Sequence, residues 1–273
     1  MRNRFILSPS FLDEAVPELE SLAKPGWFIN NISLPDGDRQ LRMSAIHKMI
    51  ADFVSEAVCE KERPVSIAGD CCTAIGVLAG LQRAGIDPYL IWFDAHGDFN
   101  TWETTPSRFL GGMPLAMIVG KGEQTMPEAV GLRALPEDRV ILVDARDLDA
   151  GEQELITESK VTHISEPETL LELPLPEGSI YVHFDTDVVA LEESPAQNYP
   201  AQGGPSSAII KLIFSQLAQS GQVVAVSLSS WNPALDKGKK SEKVSMSLLQ
   251  TLVGTEPESG RKVCRKMNIK LRE

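Results

Sequence analysis

The stretch WFDAHGDFN, residues 92 to 100, sets Asp94, His96 and Asp98 two positions apart directly behind an apolar run. Carboxylates and imidazoles are donors for divalent cations, and an extended chain turns every second side chain to the same side. If residues 94 to 98 stay extended, one strand tip presents three donors, with Gly97 allowing a bend near a bound ion. Acidic residues at strand ends also cap helices and turns, so this stretch alone leaves two readings open. HFDTD, residues 183 to 187, repeats the pattern and places His183, Asp185 and Asp187 on one face by the same alternation. Carboxylates held side by side repel; either one takes up a proton or a cation balances them. Two such strand ends meeting at one crevice would form an oxygen-rich site with some nitrogen. That suits manganese, and a carboxylate-bridged metal pair is a means of making a nucleophilic hydroxide. A structural calcium site is the other reading of so much oxygen.

The elements that would bring these ends together are legible as alternating patterns. PVSIAG at 64 to 69, PYLIWFDA at 88 to 95, RVILVDA at 139 to 145, SIYVHFD at 179 to 185 and VVAVSLS at 223 to 229 read as strands buried on both faces. Helical spacing marks 40 to 60, with Ile46, Ile50, Phe53 and Ala57 recurring, and then 73 to 84, 206 to 219 and 241 to 253. Strands alternating with helices imply right-handed crossovers and a parallel, doubly wound sheet covered by helices. One α/β domain over 1–273 is the expectation, with its ligand site beyond the carboxyl ends of the strands. DKGKKSEK at 236 to 243 reads as a solvated loop.

Composition narrows the partner. Asp and Glu outnumber Lys and Arg by 38 to 26, and a net charge of −12 argues against nucleic-acid or anionic-membrane surfaces. A small-molecule substrate is the expectation. The N-terminal MRNRFILSPSFLDEAV carries basic residues, but its apolar stretch breaks early and no secretion signal follows. No run approaches the roughly 20 apolar residues of a membrane span, so a cytoplasmic protein is expected. Cys59, Cys71, Cys72 and Cys264 form no C-x-x-C spacing, and reduced thiols are the default.

These segments together resemble the arginase and agmatinase family of binuclear manganese ureohydrolases. AGDCCTAIGVLAGL is similar to that family's G-G-D-H-S-x-x-x-G segment, DAHGDFNT to D-A-H-x-D-x-N, FLGGMPLA to H-G-x-P, ARDLDAGE to R-D-x-D-x-x-E, and HFDTD to S-x-D-x-D. The resemblance implies a three-layer α/β/α sandwich around a mostly parallel sheet, and two Mn2+ ions held by Asp94, His96, Asp98, Asp185 and Asp187, with Cys71 standing where the family has histidine. It also implies that Asp98 accepts a proton from the nucleophile between the metals. A homo-oligomer, trimer or hexamer, is implied as well.

Departures from the family pattern shape the expected substrate. A Cys71 thiolate is soft, which weakens a manganese site or favours zinc or iron there. Gly111 takes the place of the histidine that shuttles protons to the leaving amine; His183 is the candidate replacement. Ser230 stands where arginases carry the glutamate that grips the guanidinium. Ala190 and Leu191 replace the acidic residue and proline that usually follow the second ligand pair. By contrast Asn100, Thr105 and Ser107 match the loop that binds an α-carboxylate, although Thr105 and Ser107 are also ordinary turn residues, and Asp149 matches the acidic residue near the α-amine. The combination predicts a hydrolase that grips an amino-acid head while cleaving a C–N bond in an altered guanidino group, N-hydroxy-L-arginine being the leading expectation. The alternative is a catalytically silent arginase-fold binding or scaffolding protein.

Overall fold

The computed structural model describes residues 1–254; Cys264 and the end of the expected 1–273 domain lie outside the described residues. From the N-terminus run β1 (Arg2–Ser8), β2 (Ser10–Phe11), β3 (Glu14–Ala15), β4 (Phe28–Ile29), α1 (Arg39–Cys59), β5 (Glu62–Ala68), α2 (Ala74–Arg83) and β6 (Tyr89–His96). Short helices α3 (Pro114–Ile118) and α4 (Thr125–Val130) precede β7 (Val140–Asp147), α5 (Ala150–Glu158) and β8 (Thr162–Ile164). Then come β9 (Ile180–Asp185), α6 (Ser207–Ser220), β10 (Val223–Ser229) and α7 (Lys240–Val253). Eight strands form one sheet in the order β4-β1-β5-β10-β9-β6-β7-β8, parallel at each pairing. β2 and β3 make a separate antiparallel hairpin.

Strand alternation divides the interior into two cores, one on each face of the sheet. Leu90, Trp92, Tyr181 and Ala225 pack into the core that α1 and α2 cover. Their neighbours Ile91, Phe93, Val182, Phe184 and Val226 pack toward α6 and α7. The result is the expected three-layer sandwich. α1 starts where the Asp38 carboxylate accepts the Leu41 N–H at 2.9 Å, and it buries Met43, Ile46, Ile50, Val54 and Ala57. α2 lies directly against it because Gly76 and Gly80 carry no side chain: a Cβ would stand 2.7 Å from the His47 carbonyl and 2.6 Å from that of Ala51.

One strand was not foreseen and two expectations need correction. The N-terminal stretch is an inner strand, β1, held between β4 and β5, and its Arg4 guanidinium pairs with Glu56 and Glu60 at 3.0 and 3.2 Å. The expected loop at 236 to 243 ends at Lys240, where α7 begins one residue before the expected helix of 241 to 253, because the Asp236 carboxylate accepts the N–H groups of Lys240, Ser241 and Glu242. Finally, β6 ends at His96 and β9 at Asp185, so the chain is not extended through Asp98 or Asp187.

Candidate active site

Four neighbouring strands, β5, β10, β9 and β6, deliver their carboxyl ends to one cleft of about 250 Å³. After β5, the Asp70 carboxylate accepts the N–H groups of Cys72 at 3.0 Å and Leu12 at 2.8 Å, which fixes the turn that presents Cys71. At the tip of β6, Asp94 accepts Trp92 Nε1–H at 3.0 Å and the His96 N–H at 2.8 Å. Asp98 then adopts φ 51°, and its carbonyl accepts the Leu115 N–H at 2.9 Å. After β9, Asp185 Oδ1 accepts the Asp187 N–H at 2.9 Å, opening a 3-10 turn over Thr186–Val188. Asp187 Oδ1 in turn accepts the Ala95 N–H at 3.0 Å, tying one acidic strand end to the other.

The donors fall into two groups whose ligand atoms lie within 4.8 Å of one another: Cys71, Asp94, His183 and Asp185, and Asp94, His96 and Asp187. Asp94 belongs to both. Asp98 lines the same cleft, and its Oδ2 is buried without a hydrogen-bond partner. Cys71 Sγ lies 2.7 Å from Asp185 Oδ2 and 3.8 Å from Asp94 Oδ2. Burial, and then the neighbouring carboxylates, push Asp94, Asp98, Asp185 and Asp187 upward; burial and Asp185 do the same to the Cys71 thiol. Burial disfavours a charged His96, but its bonds to Asp187 at 3.0 Å and Asp94 at 3.4 Å outweigh that and push it up to about 12. Stacked carboxylates, an orphaned carboxylate oxygen and a thiol aimed at the same point are the donor set a divalent cation requires.

His183 stands elsewhere than a proton shuttle needs. It is 0% exposed, does not line the cleft, and stacks on Trp92 with ring centroids 3.7 Å apart; burial pushes it down to about 3. Strand alternation does turn it to the ligand face, but one residue pair below the opening. Ser230 lines the cleft at φ 68°, and its hydroxyl donates to Asp185 Oδ2. Asn100 Nδ2 donates to Asp149 Oδ2 at 3.0 Å, so the two expected head-group residues are already paired at the cleft wall. Thr105 and Ser107 also line the cleft, but their hydroxyls are 3.3 Å apart and accept the N–H groups of Arg108 and Phe109, as turn residues do. At Gly111 a Cβ would meet the Phe109 ring at 2.4 Å, so that ring occupies the space beside Gly111.

Sequence reasoning missed the aromatic wall of the cleft, where Phe109 lies between Phe11 and Tyr199 with centroids 6.3 and 4.7 Å away. Isolated aromatics in three separate segments carry no spacing signal. It also missed Glu152, whose carboxylate accepts the Phe99 N–H at 2.8 Å and packs under Gly97. The signal was available there, since Glu152 closes the quoted ARDLDAGE segment.

The sequence model described as Arginase family matches residues 27–254. The chain belongs to the arginase family. The arginase of Bacillus subtilis (strain 168) is 32% identical over 221 residues, which cover 76% of this chain and 74% of that one. An arginase of Schizosaccharomyces pombe is 27% identical over 277 residues, covering 91% of this chain and 85% of that one. Among solved structures, the crystal structure of arginase from Bacillus subtilis superposes with a TM-score of 0.78 at 26% identity, covering 93% of this chain and 99% of that one. The arginase-family fold therefore extends over nearly the whole chain, including the strand ends at the cleft.

Proposed function

We propose that this chain is a metal-dependent hydrolase that cleaves a C–N bond in the guanidino group of an arginine-like amino acid, with N-hydroxy-L-arginine as the preferred substrate. One observation carries the metal dependence: the carboxylates of two strand ends converge with the orphaned Asp98 Oδ2 on the cleft floor, an arrangement that repels itself without cations. Two divalent cations would be held by Cys71, Asp94, His96, Asp98, Asp185 and Asp187, with manganese suited to the Asp94–His96–Asp187 group. When bound, they supply Lewis acidity and lower the pKa of water.

The chain's own residues account for the rest. Asp98 Oδ2, buried without a hydrogen-bond partner, would take a proton from attacking water. Asn100 and Asp149 present amide and carboxylate groups to an amino-acid head, and Phe11, Phe109 and Tyr199 flank the alkyl chain and exclude water. At the reacting end Ser230 offers a hydroxyl where a carboxylate would be needed to pair a guanidinium. An N-hydroxyguanidine is less basic and enters closer to neutral, so it avoids the penalty of a buried unpaired charge.

The test is steady-state kinetics of the manganese-loaded protein with arginine, N-hydroxyarginine and agmatine, following urea and hydroxyurea. N-hydroxyarginine should give the highest kcat/KM and agmatine, which lacks the carboxylate, the lowest. Preference for agmatine refutes the role of Asn100 and Asp149, and preference for arginine refutes the role given to Ser230. Turnover of none of the three by metal-loaded protein leaves the silent binding protein as the answer.

A further inference from the structure

We propose that His183 Nε2 is a metal ligand, so that Cys71, Asp94, His183 and Asp185 form a mixed sulfur, nitrogen and oxygen site for a cation of zinc or cobalt type. The inference rests on the metal-dependent reading above and assigns one of its two sites.

The strand register builds this arrangement. His183 lies level with Trp92 on β6 and with Ser227 on β10, and one residue pair further along, Asp185 lies level with Ser229. Period two turns Trp92, Asp94, His183, Asp185, Ser227 and Ser229 to one face of the sheet. Trp92 stacks on the imidazole, while Ser227 Oγ lies 2.7 Å from Nδ1 and is itself held 2.6 Å from the Tyr181 hydroxyl. With Nδ1–H donating to Ser227, the Nε2 lone pair faces the donors; this partner for the second ring nitrogen is the usual support of a ligating histidine. Nε2 has one neighbour there, the Ser229 hydroxyl at 3.3 Å, which is also 3.3 Å from Asp185 Oδ2 and 3.3 Å from Cys71 Sγ. Cys71 Sγ, His183 Nε2 and the two carboxylates thus surround one small volume.

A second observation points to a ligand in the adjoining cleft: Asp98 Oδ2, 5% exposed as a residue, is buried there with no hydrogen-bond partner. The donor chemistry then separates the two sites. Thiolate and imidazole favour a borderline-soft cation, whereas Asp94, His96 and Asp187 offer mainly oxygen. Asp94 is common to the two groups and would contribute to both sites.

The experiment is titration of the chelator-treated full chain with cobalt(II), read by thiolate-to-cobalt charge-transfer absorption, by metal stoichiometry and by binding affinity. The wild type should bind two cobalt ions and show the charge-transfer band, which Cys71→Ser removes. His183→Asn should lose or weaken one of the two sites and alter that band. Ser227→Ala, which keeps the imidazole but removes its Nδ1 partner, should weaken the same site by roughly 10–100-fold. If His183→Asn does not fold, Ser227→Ala decides the matter. Two sites of wild-type affinity and an unchanged band in these variants overturn the role of His183 alone. A wild type that binds no metal overturns the metal-dependent reading itself, so the two failures are distinguishable.

Discussion

Gly97→Ala should unsettle the acidic strand end without touching any candidate ligand. Gly97 lies between His96 and Asp98, and a Cβ there would stand 2.6 Å from Glu152 Oε1, 2.7 Å from Glu152 Cδ and 2.7 Å from Leu148 Cδ2. Ordinary contact is near 3.5–4.0 Å, so the carboxylate must retreat by about 1 Å. Glu152 Oε1 is the acceptor for the Phe99 N–H at 2.8 Å, and a retreat of that size breaks the bond. Overpacking costs about 1–3 kcal/mol, and a buried N–H left unpaired costs about 1–3 kcal/mol more. A total of about 2–6 kcal/mol corresponds to a Tm lower by roughly 4–24 °C in a domain of this size. The assay is thermal unfolding of chelator-treated protein for the wild type, Gly97→Ala, Glu152→Ala and the double variant. Because the alanine and Glu152 compete for the same space, the double variant should be more stable than additivity predicts by about 1–3 kcal/mol. A Tm for Gly97→Ala within 2–3 °C of wild type, about 1 kcal/mol, or strict additivity in the cycle, refutes the reasoning.

Two further outcomes follow from the same geometry. Asp98→Asn keeps the side-chain shape but removes the proton acceptor and one member of a crowded carboxylate group; hydrolysis should fall by about 10²-fold or more while chelator-treated protein becomes more stable, and near wild-type turnover would remove Asp98 from the mechanism. His47 lies buried under α2 with Nδ1 unpartnered, and burial pushes it from 6.5 down to about 3. The unfolded chain therefore takes up this proton first, so stability falls as pH drops from 6.5 toward 3, by about 2 kcal/mol between pH 7 and 5. His47→Gln should lose that share of the acid sensitivity in denaturant titrations at the two pH values, and an unchanged difference would show that His47 titrates normally.

The sequence by itself determined the layered architecture, because a strand buried on both faces must be apolar throughout and a helix that covers it must repeat every 3.6 residues; the runs at 88 to 95, 139 to 145, 179 to 185 and 223 to 229 obey that local rule. It also determined the donor inventory, since D-x-H-x-D and H-x-D-x-D can be read within five residues each. Local periodicity failed where a partner from elsewhere in the chain sets the conformation. Asp98 leaves the extended region because Glu152 and α3 hold the turn around it. β1 was hidden because its pairing with β4 and β5 is a contact between distant segments, and only that pairing buries its apolar half. The same is true of function at His183. Spacing put its ring on the ligand face, but its depth, its stack on Trp92 and its Ser227 partner come from the register of three strands far apart in sequence. Those contacts, rather than the residue type, turn a supposed proton shuttle into a buried neutral nitrogen facing Cys71. Phe109 shows the converse, a ring that closes the space at Gly111 because a loop folds back on itself, which no pattern of spacing records. Residue types and short-range periods are properties of the chain, whereas burial, tautomer and which donors meet are properties of distances between segments that only folding sets.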